Sequence, residues 1–207
     1  MTPALTLTLD HASFGTAQVL GPLRLELAQG ETLAITGASG IGKSTLLRVL
    51  AGLHRDWRGE LHLFPTQARL AVVFQEPTLL PWRTALQNIT LTTAAGEEAA
   101  LALLADVGLG ALAQVFPNRL SLGQQRRLAL ARAFAMQPDV LLMDEAFTSL
   151  DAGLADEMMQ LFEALRARKP LATVIVTHDR AEAKRLASRI LHLEGRPACF
   201  AASPLAG

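Results

Sequence analysis

Residues 32–53 read TLAITGASGIGKSTLLRVLAGL and combine three features in a fixed order. Thr32 to Ile35 is a short and almost continuously apolar run, which is typical of a strand buried on both faces. Gly37 to Ser44 comes next and matches the pattern G-x-x-x-x-G-K-S/T. Lys43 to Leu53 then has the pattern of a helix. A buried strand, a glycine-rich turn and a helix in this order predict a loop that binds the phosphates of a nucleotide.

The residue types of this loop suit phosphate chemistry. Glycines let backbone N–H groups approach phosphate oxygens, and the N-terminus of the following helix adds the positive end of its dipole. We expect the Lys43 ammonium to contact the β- and γ-phosphates and the Ser44 hydroxyl to bind Mg²⁺. The residues predicted to bind the nucleotide are Gly37, Ala38, Ser39, Gly40, Ile41, Gly42, Lys43, Ser44 and Thr45.

Two further apolar runs have the same character as the first. They are Val140 to Met143 and Ala172 to Val176, and helix-like segments follow them at 152–168 and 180–187. Strand, turn and helix repeated in this way predict an α/β fold whose parallel sheet is covered by helices.

The rest of the chain differs from this pattern. Leucines alternate with polar residues at 5–9 and 23–27, which predicts antiparallel strands with one exposed face. An Ala- and Leu-rich stretch punctuated by Gly and Pro predicts a helical subdomain inserted at 77–118. The 207 residues suffice for one domain, in which 1–76 and 119–207 form the α/β core with the antiparallel β subdomain.

Composition excludes several classes of protein. Lys+Arg and Asp+Glu both number 19, so the formal net charge is zero and gives no bulk attraction for nucleic acid or an anionic membrane. The single cysteine, Cys199, excludes an internal disulfide and a cysteine-built metal site. No signal-like N-terminus is present, and no apolar run approaches the roughly 18 residues of a membrane span. We therefore expect a cytoplasmic protein that reaches a membrane only through a partner.

An acidic pair, Asp144 and Glu145, closes the second buried run. Ligands bind at the carboxyl edge of open α/β sheets, so Asp144 is the candidate partner of Mg²⁺. Glu145 is the candidate base or water-orienting residue. Such a pair alone more often caps a helix or faces solvent, and the phosphate loop is what favours the metal site here.

Five further segments carry a family resemblance. Leu120 to Gln124 reads LSLGQ and resembles a signature motif, and Gln75 resembles the glutamine of a Q-loop. Thr148-Ser149-Leu150-Asp151 resembles a D-loop, His178 a switch histidine and Phe14 an adenine-stacking aromatic residue. The motifs occur in the family's order, and over nearly its whole length the chain resembles the ATP-binding subunits of ABC transporters.

This resemblance implies a RecA-like P-loop NTPase fold, with ATP and Mg²⁺ as cofactors. It implies catalytic roles for Glu145, His178 and Gln75, with the Gln75 amide oxygen also near the metal. Phe14 would stack on adenine. The residues implied to contact the ATP of an opposite subunit are Ser121, Leu122, Gly123, Gln124 and Asp151.

The residues alone leave other interpretations open. Ser121 has the pattern of an ordinary helix N-cap, His178 that of a loop or capping residue, and Phe14 that of a core residue. Two positions depart from the family pattern. Leu122 stands where glycine is common and is expected to weaken the contact across subunits, and Ala146 stands where proline is common and is expected to loosen the turn.

Residues 76–84 read EPTLLPWRT and place Trp82 among leucines beside two prolines. This segment is either a hinge packed on itself or a docking surface for another protein. It resembles importer ATPases of the nitrate, sulfonate and taurine group. That resemblance implies a second, identical ATPase subunit, an integral membrane permease and, indirectly, an extracytoplasmic substrate-binding protein.

On this interpretation the chain lies on the cytoplasmic face of the inner membrane. There it hydrolyses ATP, and ATP-driven closure of the dimer powers solute import. The alternative is a soluble ABC ATPase that acts on nucleic acid or ribosomes. The neutral charge and the lack of a long coiled-coil insertion disfavour that alternative.

Overall fold

The computed structural model describes residues 2–148 and 150–201, which form two compact units. The first unit takes the described parts of Met1–Val72, Asp139–Glu145 and Pro170–Gly207, and the second takes Val73–Pro138 and Ala146–Lys169. The strands are β1 (Pro3–Phe14), β2 (Ala17–Leu20), β3 (Leu23–Ala28), β4 (Thr32–Gly37), β5 (Trp57–Leu63), β6 (Leu70–Val73), β7 (Val140–Asp144), β8 (Ala172–Val176), β9 (Arg189–Glu194) and β10 (Cys199–Phe200). The helices are α1 (Lys43–Leu50), α2 (Ala85–Thr90), α3 (Glu97–Asp106), α4 (Leu122–Ala135), α5 (Ala152–Arg166) and α6 (Arg180–Leu186).

The first unit contains the antiparallel sheet that the alternating leucines predict. Strand β1 pairs antiparallel with β2, β3 and β5. Leu5, Leu7 and Leu9 point into the core and are almost fully buried, whereas Thr8 is exposed on the other face. The period of two along the sequence therefore corresponds to one buried and one exposed face.

Among the described residues, the second sheet has six strands in the order β10-β9-β4-β8-β7-β6. Strand β4 is parallel to β8 and β9, and β7 is parallel to β8, while β10 is antiparallel to β9. Every residue of β4, β7 and β8 is buried, which explains their continuously apolar sequences. The predicted α/β fold with a parallel core and a smaller antiparallel sheet is confirmed.

The register of these strands brings three chain segments to one edge. Ile35 of β4 lies opposite Val176 of β8, and Asp144 of β7 lies opposite the same Val176. Because the strands are parallel, their carboxyl ends finish at a common level. The phosphate loop, Glu145 and the segment that begins at Thr177 therefore emerge side by side.

The second unit is helical apart from the end of β6. Helices α2 and α3 and two 3₁₀ turns, Gly110–Leu112 and Pro117–Arg119, occupy the segment predicted as a helical insertion. Phe162 of α5 lies in its core, with ring centroids 6.4 Å from Phe134 and 6.1 Å from Phe147. The narrower subdomain boundary of 77–118 stays a prediction.

Helix ends differ from the sequence prediction by a few residues. Helix α1 ends at Leu50 rather than Leu53, and α5 ends at Arg166 rather than Arg168. Helix α4 begins at Leu122, directly after Ser121, whose side chain caps it as its sequence pattern allows. Within residues 2–148 and 150–201, every helix is too short or too polar to cross a lipid bilayer.

Candidate active site

The phosphate loop joins β4 to α1 through a backbone that requires glycine at its end. Gly42 is the N-cap of α1, with φ 115° and ψ 8°. A Cβ at this position would lie 2.8 Å from Leu20 Cδ2 and 2.9 Å from Val19 Cγ1. No side chain among the described residues caps α1, so its first N–H groups are available to an anion.

Lys43, the first residue of α1, directs its ammonium back over this loop. Its side chain is 4% exposed, and Nζ donates to the carbonyl oxygens of Gly37 at 3.1 Å and Ala38 at 3.0 Å. Glu145 Oε1 lies 3.8 Å from the same nitrogen. The loop carbonyls and this carboxylate hold the buried positive charge where phosphates would bind.

Ser44 and Asp144 form the second contact between the loop and the sheet edge. Ser44 Oγ donates to Asp144 Oδ1 at 3.0 Å. Burial raises the pKa of Asp144 above its ordinary value, while the Ser44 hydrogen bond acts in the opposite direction.

The Ser44 and Asp144 oxygens suit Mg²⁺, which needs few protein ligands, better than they suit a metal ion whose ligands all come from the protein. In the part of the chain that the structure describes, no group of three His, Cys, Asp or Glu residues could hold a metal ion. Mg²⁺ commonly takes only one or two protein ligands and completes its shell with phosphate oxygens and water. A hydroxyl beside one carboxylate, next to a phosphate loop, matches that requirement.

Glu145 is held in an unusual backbone conformation. Its φ is 47°, which is uncommon for a residue other than glycine. Its N–H donates to the carbonyl oxygen of Val176 on β8 at 2.9 Å. Since Val176 lies two residues before His178, this bond brings Glu145 Oε2 to 3.3 Å from His178 Nδ1. The strained backbone of Glu145 thus accompanies a contact between the side chains of Glu145 and His178, the two candidate catalytic residues.

The structure also places Glu182, which the sequence prediction missed, next to this group. Glu182 is 5% exposed, and its Oε2 accepts a hydrogen bond from Thr177 Oγ1 at 3.0 Å. Burial raises the pKa of Glu182 to about 7; the Thr177 hydrogen bond opposes this shift, and the charges of Asp179 and Glu145 add to it. The sequence offers one signal for Glu182, which is an acidic residue in the helix that directly follows His178.

Phe14 lies at the end of β1 and is half exposed. Its ring centroid is 4.7 Å from that of His54, and His54 Nε2 lies 2.9 Å from the carbonyl oxygen of Ser13. Phe14 is therefore not the core residue that one interpretation allowed. The support from the buried His54 was not foreseen, and the adenine-stacking role stays a prediction.

In the second unit, Ser121 and Gln124 cap α4 reciprocally. Ser121 Oγ accepts from the Gln124 N–H at 3.2 Å, and Gln124 Oε1 accepts from the Ser121 N–H at 2.9 Å. Leu122 is half exposed and Gly123 is buried. The ordinary capping role is thus present, and the role across subunits stays a prediction.

Gln75 and Asp151 also belong to the second unit. Gln75 is exposed and lies just beyond β6. Asp151 caps α5 by accepting from the Leu154 N–H at 3.0 Å. Ser149 of the predicted D-loop lies outside the described residues. The structure therefore brings together Lys43, Ser44, Asp144, Glu145 and His178 in the first unit, whereas the roles assigned to Gln75 and Asp151 stay predictions.

Comparison with known proteins gives consistent matches. A protein-family model described as ABC transporter matches residues 20–148. The chain is 48% identical over 186 residues to an aliphatic sulfonates import ATP-binding protein, SsuB 2, of Rhizobium johnstonii, covering 88% of this chain and 74% of that protein. It is 41% identical over 210 residues to the corresponding SsuB 1 of Xanthomonas axonopodis pv. citri, covering 95% of this chain and 83% of that protein.

Two solved structures have the same fold. A dimeric bacterial ABC transporter cassette matches with a TM-score of 0.83 and 29% identity, covering 98% of this chain and 99% of that one. A dimeric post-hydrolysis state of an ATP-binding cassette, bound to ADP and Pi, matches with a TM-score of 0.82 and 28% identity over the same shares of the two chains. These relatives do not support the alternative of an ATPase acting on nucleic acid or ribosomes. The chain belongs to the ABC transporter family, as the ATP-binding and ATP-hydrolysing subunit that energises a transporter.

Proposed function

We propose that this subunit powers the import of small organic anions of the aliphatic sulfonate class. The observation that carries the catalytic half of the proposal is the position of Glu145, 3.8 Å from Lys43 Nζ and 3.3 Å from His178 Nδ1. The transport half is supported by relatives whose names describe sulfonate import.

For hydrolysis, the first unit supplies a base, a cation and a histidine at one sheet edge. Glu145 would accept a proton from the water molecule that attacks the γ-phosphate, and Lys43 would stabilise the charge on the phosphate oxygens. His178, with Nδ1 3.3 Å from Glu145 Oε2, would orient Glu145 and contact the γ-phosphate. The work done by these side chains is mainly positioning and electrostatic stabilisation.

We assign the Mg²⁺ site to the Ser44 hydroxyl and the Asp144 carboxylate, with the Gln75 amide as a further candidate. Bound Mg²⁺ would neutralise charge on the β- and γ-phosphate oxygens. The support is the oxygen-only donor set at the loop, in which Ser44 Oγ and Asp144 Oδ1 are 3.0 Å apart.

The working unit in this proposal is a dimer of two identical chains. Ser121, Leu122, Gly123, Gln124 and Asp151 would then contact the ATP held by the opposite chain. The capping box uses the Gln124 N–H and leaves the N–H groups of Leu122 and Gly123 for an anion. The dimeric state of both solved relatives supports this arrangement.

The segment 76–84 is proposed to dock on the permease. Trp82 is 66% exposed within it. The buried Asn88 side chain fixes the backbone beside Trp82, because it accepts from the Leu80 N–H at 2.7 Å and donates to the carbonyl oxygens of Leu80 and Arg83, each at 3.1 Å. A rigid segment with an exposed indole has the character of an interface anchor rather than that of a hinge packed on itself. Docking would hold the chain on the cytoplasmic face of the inner membrane, with a substrate-binding protein on the other side.

Growth and co-purification of the tagged full-length chain from its native cell test this proposal. Cells that carry Lys43→Ala in place of the wild-type chain should not grow on an alkanesulfonate as the sole sulfur source but should grow on sulfate. A polytopic membrane protein should co-purify in mild detergent, and Trp82→Ala should reduce its recovery. Leu53→Ala is the matched control, since Leu53 is also exposed and lies outside the segment. Normal growth of Lys43→Ala cells on the sulfonate would contradict the substrate class, and recovery of ribosomal or DNA-bound proteins without a permease would contradict the transporter role.

A further inference from the structure

The carboxyl group of Glu182 is buried and takes no part in the mechanism derived above. Its Oε2 accepts from Thr177 Oγ1, whereas its Oε1 has no hydrogen-bond partner among the described residues. A buried carboxyl with an unpaired oxygen costs stability. Such a cost is common at functional sites, where the group has another role.

The hydrogen bonds around Glu182 involve Thr177 and Asp179, the residues on either side of His178. Thr177 Oγ1, which donates to Glu182, also accepts from the Asp179 N–H at 3.0 Å. Asp179 Oδ1 in turn accepts from the N–H groups of Ala181 at 2.7 Å and Glu182 at 3.2 Å. Both neighbours of His178 are therefore tied to the start of α6, while the His178 side chain itself is more than half exposed.

We propose that Glu182 is a positioning residue for ATP hydrolysis, which acts through Thr177 to hold the His178 segment where its imidazole meets Glu145. Among the described residues, the polar contact of the His178 side chain is the one from its Nδ1 to Glu145 Oε2 at 3.3 Å. Since the rest of this side chain is largely exposed, its location depends on its backbone. The inference rests on the role proposed above for His178 and deepens it.

The charge on Glu182 is a second consequence of its location. The groups that act on it are Asp179, at the N-cap of α6, and Glu145, and both are acidic. Strand β4, against which α6 packs, carries no ionisable side chain along Thr32–Gly37. Since the pKa of Glu182 is raised to about 7, its carboxyl gains negative charge beside Glu145 as the pH rises through neutrality.

Steady-state ATPase kinetics of the full-length chain with Mg²⁺ and ATP, measured from pH 6 to 8.5, test the proposal. Glu182→Ala should lower kcat by about 10- to 100-fold while leaving KM for ATP within about twofold, because positioning affects the reaction step more than binding. Glu182→Gln keeps an acceptor for Thr177 and should restore kcat to within about threefold of wild type at pH 6.5. The ratio of its kcat to that of wild type should rise above pH 7, because the amide stays neutral.

A threonine pair supplies the matched control. Thr177→Val removes the hydroxyl that Glu182 holds and should reproduce the loss of kcat even if Glu182→Ala fails to fold. Thr173 is equally buried and lies on β8, and its hydroxyl has no hydrogen-bond partner among the described residues, so Thr173→Val should leave kcat unchanged. Equal kcat for Thr177→Val and Thr173→Val would overturn the proposal.

Variants of His178 separate this inference from the role on which it rests. Combining Glu182→Ala with His178→Ala should lower kcat no further than His178→Ala alone, because the two changes remove the same function. If His178→Ala lowers kcat but Glu182→Ala does not, the inference about Glu182 is wrong and the proposed role of His178 stands. A wild-type kcat for His178→Ala would refute both the inference and the proposed role of His178.

Discussion

Arg132 on α4 and Thr78 are 54 residues apart in the sequence and are joined by two hydrogen bonds. Arg132 Nη1 donates to the Thr78 carbonyl oxygen at 2.9 Å, and Nη2 donates to Thr78 Oγ1 at 3.2 Å. Thr78 has φ 31°, which is rare for a β-branched residue. Because α4 begins at the signature motif with its cap Ser121, this guanidinium ties the segment proposed to dock on the permease to the helix proposed to contact the opposite ATP.

Arg132→Ala should lower the free energy of unfolding by about 1–3 kcal/mol, since it removes two charge-assisted hydrogen bonds. In a Thr78→Gly background the same change should cost less, because glycine adopts this φ without help. A double-mutant cycle by urea unfolding measures the difference. Additive effects would mean that Arg132 does not restrain Thr78.

Ser44→Ala removes one of the two oxygens assigned to Mg²⁺. It should raise the Mg²⁺ concentration for half-maximal ATPase activity by at least about 10- to 100-fold, the loss typical even of residues that only support a metal ligand. Thr45→Ser is the control, because it keeps a hydroxyl at the next position and Ser44 stays in place. An unchanged Mg²⁺ dependence for Ser44→Ala would remove Ser44 from the site.

Glu145→Gln keeps the shape of the side chain but cannot accept a proton from water. ATPase activity should fall by about 10²–10⁴-fold, the usual contribution of a general base, while ATP binding is retained. The variant should therefore elute as a dimer in size-exclusion chromatography with ATP and as a monomer with ADP. Hydrolysis at the wild-type rate would show that another group activates the water.

Gly42→Ala tests the backbone of the phosphate loop against a matched glycine. Both Gly42 and Gly40 have positive φ, but only at Gly42 would a Cβ meet the side chains of Leu20 and Val19, since at Gly40 nothing lies within 4 Å. Gly42→Ala should lower the free energy of unfolding by about 1–3 kcal/mol more than Gly40→Ala, the usual cost of overpacking. Equal losses in denaturant unfolding would mean that the side chains of β2 move aside.

The phosphate loop and the acidic pair could be predicted because their signals are local. Buried parallel strands have continuously apolar sequences, so the runs at 32–35, 140–143 and 172–176 mark the strands, and the residues just after them mark the carboxyl edge. Strand order and register then decide which of those residues come into contact. No single segment of the sequence determines that order or register. The hydrogen bond from the Glu145 N–H to the Val176 carbonyl oxygen depends on β7 lying beside β8.

The supporting residues could not be predicted for the same reason. His54 lies against Phe14 because the chain after α1 returns to the end of β1. Glu182 is buried because α6 packs on β4, and its sequence pattern does not distinguish it from a solvent-facing helix residue. Each of these contacts joins segments whose proximity only the folded sheet determines.

Glu182→Gln should change how stability depends on pH. The pKa of Glu182 is about 7 in the folded chain, against an ordinary value of 4.5, so the folded state binds this proton more tightly than the unfolded state. Stability from this group is therefore present below about pH 4.5 and is lost as the pH rises towards 7, by up to about 3 kcal/mol in total. The amide has no such dependence, so the variant should gain stability relative to wild type between pH 5 and pH 8 in urea unfolding. Glu97→Gln, at an exposed position on α3, should show no comparable gain, and a gain of the same size there would mean that net charge rather than the buried carboxyl causes the effect.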